Sequence, residues 1–217
     1  MYSKMRLGSL VFVLCALLGF HSPCSPQPFR TVFAPTLVIT GVADAGSDCL
    51  PEYVSHVVCA DHGRAFFRAP AGQEFEFSKR PWPRRLVLPA LAGYQVLLER
   101  NNRPAKNDLL LLTVADGRVV RKQALPVLAT VRDVDGDGQV EYGGILDYAE
   151  GLADPDKGTY NPLLFYEITP QGWALDTAAT VGVNRKVWGK FYGYKARPQL
   201  VLKVSDASFA RYLPKID

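Results

Sequence analysis

One acidic, glycine-punctuated segment near the middle of the chain holds the residues whose types and spacing could do chemistry. Its carboxylates are Asp133, Asp135, Asp137 and Glu141. Gly138 follows the third aspartate, where a glycine lets the backbone turn sharply, so that alternate side chains aim their oxygens at one centre. Without a cation, charges at this spacing repel one another. An all-oxygen set suits Ca2+ better than Zn2+, Cu2+ or Mg2+, so the segment predicts a calcium-binding loop whose ion has a structural role.

Two other interpretations of this loop stay open. An EF-hand requires a glutamate at the twelfth loop position and a helix on each side. That position is Gly144, and the flanks 124–131 and 145–148 are rich in the apolar and β-branched residues typical of strands. A metal-free acidic hairpin turn is the simpler alternative, because Asp and Gly are ordinary turn residues. The regular alternation of the carboxylates favours the calcium site over both.

The pattern Asp-x-Asp-x-Asp-Gly-x-x-Glu, within about residues 126–148, resembles the calcium loops of FG-GAP/VCBS-type repeats. Such loops occur in integrin-like propellers and in bacterial secreted proteins, so the resemblance implies a bacterial secreted protein with a strand on each side of the loop. It also implies the ligand set, which is the side chains of Asp133, Asp135 and Asp137, the backbone carbonyl of Gln139 and the ninth-position carboxylate of Glu141. The loop occurs once in the chain, and a complete propeller is therefore not expected.

The N-terminus indicates export. Lys4 and Arg6 precede an apolar run over 7–20, which is short for a membrane span and has the length of a signal-peptide core. We predict a signal peptide over 1–24 and a mature chain that is periplasmic, exposed on the outer surface or secreted. Two alternatives remain, a lipid anchor on Cys24 and a retained N-terminal anchor helix.

Export would place the remaining cysteines in an oxidising compartment. Cys49 and Cys59 are close in sequence, and such a compartment predicts a disulfide that clasps a local turn. The alternative adds His56 and His62 to the two cysteines to make a zinc site, but these spacings differ from the common zinc patterns. We therefore assign both histidines to the surface or to a hairpin.

The composition predicts a single mainly β domain over 25–217. Apolar residues make up 48% of the chain, and 18 glycines and 16 prolines suit many short strands separated by turns. Asp-Gly at 116–117 and Pro-Gln-Gly at 170–172 each predict a hairpin. The expected fold is an antiparallel meander of hairpins, either partly propeller-blade-like or a sandwich, with one short C-terminal helix over Ala207–Leu213. The predicted strands are 36–42, 54–60, 64–68, 74–77, 85–88, 94–100, 109–114, 119–125, 129–134, 140–148, 163–169, 173–180 and 199–204, with a long loop over 149–161.

The charge of the chain points away from nucleic acid. The formal net charge is +4, which is modest, and basic residues do not form the long stripe of a nucleic-acid binder. The stretches 79–85 and 185–195 mix cations with aromatics. Each could face an anionic glycan or lipid, or run as a strand whose aromatics turn into a core. Glu74 and Glu76 share one side of a predicted strand, and we assign them to an exposed face.

These observations favour a non-catalytic exported module that uses Ca2+ to rigidify a β-domain and binds a protein or glycan at the cell surface. We expect no nucleic-acid partner, and membrane contact only through a lipid anchor at Cys24. The alternative is a secreted hydrolase, for example one that acts on glycans, whose acid and base are too far apart in sequence to form a motif. A cleft with converging carboxylates would favour the hydrolase, and a flat face bearing Trp188, Tyr192 and Tyr194 would favour the binding module.

Overall fold

The structure is a computed structural model, and it describes residues 26–32, 36–45, 51–77, 85–146 and 157–213. In these ranges the chain forms three antiparallel β-sheets, one α-helix and one short 3-10 helix. The prediction of a mainly β fold built from hairpins is confirmed. The predicted signal peptide over 1–24 lies outside the described residues, as do Cys49 and positions 79–84 of the first basic stretch.

The strands are numbered in chain order. They are β1 (Gln27–Val32), β2 (Leu37–Ala45), β3 (Pro51–Asp61), β4 (Arg64–Arg68), β5 (Glu74–Glu76), β6 (Arg85–Ala90), β7 (Gly93–Asn101), β8 (Asp108–Ala115), β9 (Arg118–Pro126), β10 (Thr130–Arg132), β11 (Glu141–Ile145), β12 (Lys157–Tyr160), β13 (Leu163–Thr169), β14 (Gly172–Leu175) and β15 (Arg197–Lys203). The α-helix α1 spans Thr177–Trp188, and the 3-10 helix spans Phe209–Tyr212.

The N-terminal strands form a nine-stranded sheet in the order β1-β2-β3-β5-β7-β8-β9, with β4 paired to β3 and β6 paired to β7. Two-residue turns with positive φ close two of its hairpins. Asp116 and Gly117 (φ 50° and 69°) join β8 to β9, and His62 and Gly63 (φ 47° and 75°) join β3 to β4. Such turns carry the twist that flanking strands need. The Asp-Gly hairpin prediction is thus confirmed.

One face of the nine-stranded sheet covers a hydrophobic core. Ile39 on β2 and Val57 on β3 pack in the same cluster as Leu112 on β8. The opposite face of β8 is buried as well, through Leu109 and Leu111. A strand covered on both faces needs apolar side chains at successive positions, which explains why β8 shows a continuous apolar run instead of alternation.

A four-stranded sheet, in the order β10-β11-β13-β14, packs on that opposite face. Tyr142, Leu164 and Trp173 share a core with Leu109 and Leu111 of the nine-stranded sheet. The predicted Pro-Gln-Gly turn joins β13 to β14, so that hairpin prediction is also confirmed. The two sheets therefore stack face to face, and the helix covers the outer face of the smaller one.

The helix α1 is fixed at both ends by local residues. Asp176 caps its N-terminus by accepting a hydrogen bond from the Ala179 amide at 2.9 Å, and Gly189 follows its end with φ 73°. Val183 and Val187 on its buried side pack in one cluster with residues of β13. In the described ranges, no helix has both the length and the apolarity to cross a bilayer.

The predicted strand over 173–180 is wrong beyond Leu175, where β14 ends. β-branched residues in 177–183 favour an extended chain, but Ala179, Val183 and Val187 recur at a spacing of four and bury one side of a helix. Packing on the four-stranded sheet outweighs the weak local preference. The basic stretch 185–195 is accordingly the end of a helix followed by a loop, not a strand.

Strands β12 and β15 pair into a two-stranded ribbon beside α1. The predicted loop 149–161 is wrong at its C-terminal end, because Lys157–Tyr160 is a strand. A Cβ placed on Gly158 would lie 3.2 Å from the Trp188 ring, so the ribbon packs closely on the last turn of α1. The short helix predicted over Ala207–Leu213 is a single 3-10 turn.

Candidate metal centre

The predicted calcium loop connects β10 to β11. Gly136 and Gly138 have φ of 86° and 90°, a conformation that other residues rarely adopt. Asp133 accepts hydrogen bonds from both glycine amides, at 2.7 Å from Gly136 and 3.0 Å from Gly138. These bonds fold the loop back onto its first aspartate. The flanks are strands, which excludes the helix–loop–helix arrangement of an EF-hand.

Three of the five predicted ligands lie together. Carboxylate oxygens of Asp133, Asp135 and Glu141 lie within 4.8 Å of one another. Asp137 is outside this group, because its carboxylate accepts hydrogen bonds from the backbone amide and the side chain of Gln139, at 2.7 Å and 3.3 Å. Asp137 would need another side-chain conformation to join the same ion.

Glu141 is the member of this group that is fully buried. Its Oε2 accepts a hydrogen bond from the Val134 amide at 2.8 Å, whereas its buried Oε1 has no hydrogen-bond partner. Burial raises the pKa of Glu141, the Val134 amide opposes this, and the charges of Asp135, Asp137 and Asp176 raise it further. A buried carboxylate oxygen without a donor is costly. The three carboxylates therefore fit a cation that takes Oε1 of Glu141 as a ligand.

The sheet does not supply a counter-charge for Glu141. Arg132 stands directly opposite it on β10, but the Arg132 guanidinium packs on the ring of Tyr212, 4.6 Å from its centroid. The neighbour on the other side, across β13, is a further carboxylate, Glu167. Within the described part of the chain, no cationic side chain forms an ion pair with Glu141. A bound cation would provide the charge that is missing at this position.

The structure describes one of the two cysteines predicted to pair. Cys59 lies on β3, with Ile39 directly opposite on β2 and Phe67 directly opposite on β4. Among the described residues it has no disulfide partner, and burial raises the pKa of the Cys59 thiol to about 12. Cys49 lies outside the described residues, and the disulfide stays a prediction.

The histidines of the alternative zinc site lie on the surface. The His62 side chain is 75% exposed in the β3–β4 turn, with its Nδ1 3.0 Å from Asp61 Oδ1. His56 is exposed at a bulge of β3, where its Nδ1 lies 3.0 Å from Ser55 Oγ. Cys59 is buried in the core, and the described residues gather no histidine and cysteine set that could hold zinc. The assignment of both histidines to surface positions is confirmed.

An open cleft of about 1090 Å³ lies beside the loop that joins β7 to β8. Its lining includes Glu99, Asn107, Pro126 and Leu146. Asn107 donates through Nδ2 to Glu99 Oε1 at 2.9 Å and to Glu76 Oε2 at 3.0 Å. Glu99 is buried and stands directly opposite Glu76 on the neighbouring strand. Two carboxylates that are distant in sequence thus meet at Asn107, and one of them, Glu99, lines the cleft.

The prediction that Glu74 and Glu76 lie on an exposed face is wrong. Both side chains are half-buried, and Glu74 Oε2 accepts a hydrogen bond from Asn101 Nδ2 at 2.8 Å. Side-chain amides from Asn101, the last residue of β7, and from Asn107, in the loop that follows, cover this side of β5. The alternation within β5 correctly placed Glu74 and Glu76 on the same side of the strand. How exposed that side is depends on residues that come later in the chain.

The three aromatic residues whose flat exposed face would favour a binding module are only partly exposed. Trp188 is buried and donates its indole N–H to the Asn161 carbonyl at 3.1 Å. Tyr192 is half-buried and packs on Tyr160, with ring centroids 5.1 Å apart. Tyr194 is 41% exposed. The flat face that would favour a binding module therefore reduces to Tyr194 and its neighbours.

Comparison of the chain with protein-family models, curated proteins and solved structures gave no match. The geometry of the loop therefore carries the functional interpretation. Sequence patterns located the carboxylates but missed the burial of Glu141 and the approach of Asp176, which reaches this region as the cap of α1. Neither feature has a local signal in the sequence, since both depend on how the helix covers the sheet.

Proposed function

We propose that this protein is an exported, non-catalytic β-domain whose β10–β11 loop binds one structural Ca2+. The observation that carries the proposal is the buried Oε1 of Glu141, which has no hydrogen-bond donor and belongs to the same carboxylate group as Asp133 and Asp135. The backbone carbonyl of Gln139 and a reoriented Asp137 would complete the ligand set. Oxygen ligands of this number suit Ca2+, which accepts irregular geometry more readily than Mg2+ does.

The ion would act by fastening the loop to the sheet. Glu141 is the first residue of β11, which pairs with β10 on one side and β13 on the other. Asp133 directly follows β10. A cation shared by Asp133 and Glu141 would join the ends of two neighbouring strands and neutralise a charge buried beneath them. We infer that the ion stabilises this end of the four-stranded sheet and takes no part in chemistry.

Thermal unfolding with and without chelator tests the calcium site. Extracellular sites often bind Ca2+ with a dissociation constant of about 10⁻⁴ M or weaker. At about 1 mM Ca2+, a site at the tight end of this range adds about 1.4 kcal/mol to the free energy of unfolding, which corresponds to a few degrees in the melting temperature. We expect chelator to remove this increment from the wild type. Asp135→Ala should lower the melting temperature in Ca2+ and abolish the response to chelator.

Asp116→Asn is the matched control. It removes one negative charge from an exposed turn in the other sheet, at a residue with φ 50° where asparagine is tolerated. This variant should keep the full response to chelator. Calorimetric titration without binding at millimolar Ca2+, together with a melting curve that chelator leaves unchanged, would overturn the calcium site.

The biological role follows from the proposed export and from the loop. We propose that the protein belongs with bacterial secreted proteins that carry FG-GAP/VCBS-type calcium loops and that it serves as an interaction module in the periplasm, on the outer surface or in the medium. The support is the residue pattern of the loop, its strand flanks and the signal-like N-terminus. N-terminal sequencing of protein from the native host tests the export, since an intact Met1 in the cytoplasmic fraction would contradict it.

A glycan-acting hydrolase is the second candidate, and the cleft beside the β7–β8 loop is the observation in its favour. Glu99 lines this cleft and Glu76 shares the Asn107 amide with it. Paired carboxylates flank the scissile bond in glycosidases. Release of reducing sugar from a panel of polysaccharides, abolished by Glu99→Gln, would establish this function. Equal activity of the wild type and the variant would exclude it.

A further inference from the structure

The outer face of the nine-stranded sheet is covered at one end and open at the other. At β7 and β8 the four-stranded sheet packs on this face, where Leu97, Leu109 and Leu111 join the core between the two sheets. On β1–β4 the same face lies opposite the core that contains Ile39 and Cys59. None of the described residues of these four strands belongs to the core between the sheets. An open face of an antiparallel sheet ordinarily carries polar side chains.

The open face of β1–β4 is largely apolar instead. Two rows of directly opposite side chains cross these strands, Val32, Val38, Ala60 and Ala65 in the first and Arg30, Thr40, Val58 and Arg68 in the second. Val32 is 49% exposed, and Val42, the next outward residue of β2, is 37% exposed. We call the surface of Val32, Val38, Val42, Val58 and Ala60 the valine face. Its members lie outside the three buried clusters of described residues, and a contiguous exposed apolar surface marks an interaction site.

Two arginines bound the valine face on opposite sides. Arg30 and Arg68 are both exposed, and neither takes part in an ion pair between residues that the structure describes. The two rows contain no carboxylate. Arg30 lies on β1 and Arg68 on β4, with β2 and β3 between them, so their backbones are about 14 Å apart at the usual spacing between strands. The face is therefore an apolar strip with a positive charge along each side.

We propose that the valine face binds an amphipathic α-helix of a partner protein, with acidic residues on both sides of the apolar stripe of that helix. An α-helix with its side chains is about 10–12 Å wide, so a helix that lies along the strands fits between the two arginines. Its apolar stripe would cover the valines, as α1 covers the four-stranded sheet, and its acidic flanks would reach Arg30 and Arg68. A second copy of this face would bring arginines and no described carboxylate, so like charges oppose self-association. The inference rests on the proposed role as an interaction module, for which it names the partner.

Fluorescence anisotropy with two labelled synthetic peptides tests the proposal. Both peptides are amphipathic helices with one leucine stripe, and they differ only in carrying glutamate or lysine on both flanks of that stripe. The purified protein should bind the glutamate peptide about tenfold more tightly than the lysine peptide, and high salt should remove most of this difference. The double variant Arg30→Gln, Arg68→Gln should bind the glutamate peptide about tenfold more weakly, since two ion pairs are lost, and should bind the lysine peptide no more weakly.

Substitutions that keep the shape of the valine face test its apolar part. The double variant Val32→Thr, Val42→Thr should bind both peptides about tenfold more weakly, because each threonine replaces a methyl group with a hydroxyl. Val120→Thr is the apolar control, at a residue of β9 that is 62% exposed. Arg118→Gln, Arg185→Gln is the charge control, because both arginines are exposed and lie outside β1–β4. Both controls should bind the peptides within about twofold of the wild type.

Chelator and Asp135→Ala should leave peptide binding unchanged, so that failure of the calcium site is distinguishable from failure of the valine face. Equal or absent binding of the two peptides, or losses in the control variants as large as those in the valine and arginine variants, would overturn the assignment. A dimer in sedimentation velocity that Val32→Thr, Val42→Thr dissociates would assign the face to a second copy instead. Vesicle binding that the same substitutions abolish would assign it to a membrane, and either result overturns the helix partner.

Discussion

Trp173 donates its indole N–H to Gln95 Oε1 at 3.1 Å, and this bond crosses the interface between the nine-stranded and four-stranded sheets. Both residues are buried, and Gln95 Nε2 donates in turn to the Thr169 carbonyl at 2.8 Å. A single side chain on β7 thus satisfies a donor and an acceptor of the other sheet. The stacking of the two sheets depends on a polar contact as well as on apolar area.

Replacing Gln95 should loosen the sheet interface. Gln95→Met keeps the volume but removes the partners of the Trp173 indole and the Thr169 carbonyl, and leaving such groups buried costs about 3 kcal/mol in total. Urea denaturation measures this as a fall in the free energy of unfolding. Gln123→Met is the control, because Gln123 is half-buried and binds the backbone of Trp173. A loss as large in the control would contradict the special role of Gln95.

Gly143 should not tolerate a side chain. An added Cβ would lie 2.2 Å from Cδ1 of Phe165 and 2.5 Å from the Leu164 carbonyl oxygen, so Gly143→Ala should lower the free energy of unfolding by about 3 kcal/mol. Gly182→Ala on α1 is the matched control, because open space surrounds its Cβ. That change should raise stability by about 0.5–1 kcal/mol through helix propensity. Equal effects of the two substitutions in denaturation would contradict this packing.

Glu141→Gln should distinguish two opposite effects on the melting temperature. A buried charge lowers it, and a bound ion raises it. The substitution keeps the shape and an acceptor for the Val134 amide, but it removes the charge and weakens the ion site. In chelator the variant should melt above the wild type, because the charged carboxylate and its unpaired oxygen are gone. In Ca2+ the order should reverse. An equal fall in both conditions would show that the charge of Glu141 serves the fold without a metal.

Asp61 should make part of the stability depend on pH. A hydrogen bond from the Thr36 side chain, with help from Tyr94 and His62 and against the effect of burial, holds the pKa of Asp61 below its ordinary value. A carboxyl with a lowered pKa contributes stability above the unfolded value, about 3.9, and loses it as the pH falls through the folded value. Tyr94→Phe removes the 3.1 Å bond to Asp61 and should cost about 1 kcal/mol at pH 6. The difference from the wild type should shrink below about pH 4, and a constant difference would contradict it.

Much of the strand order was predictable because neighbouring strands are mostly neighbours in sequence. Asp-Gly at 116–117 and Pro-Gln-Gly at 170–172 mark turns whose chemistry is local. The two missed strands have different causes. Gln27–Val32 is an edge strand with little burial of its own, and Lys157–Tyr160 pairs with a strand that comes some forty residues later.

The candidate site shows the same division between local and distant causes. Asp133, Asp135 and Glu141 lie in one short segment, so their spacing is visible in the sequence. The structure does bring their oxygens together. What the segment does not contain is the burial of Glu141, which comes from β10, β13 and the elements that pack on them. The sequence also does not show that the Asp137 carboxylate accepts hydrogen bonds from Gln139, which compete with its predicted role as a ligand.

Because β8 is buried on both faces, part of its apolar surface lacks its partners while the chain is still being synthesised. Leu109 and Leu111 gain their partners Tyr142, Leu164 and Trp173 only after a further stretch of chain has been made. Until then, the nine-stranded sheet would expose a wide apolar face, and exposed faces of this kind invite aggregation of nascent chains. Under the proposed export, a holding chaperone that covers residues 109–111 would keep this segment from aggregating before translocation.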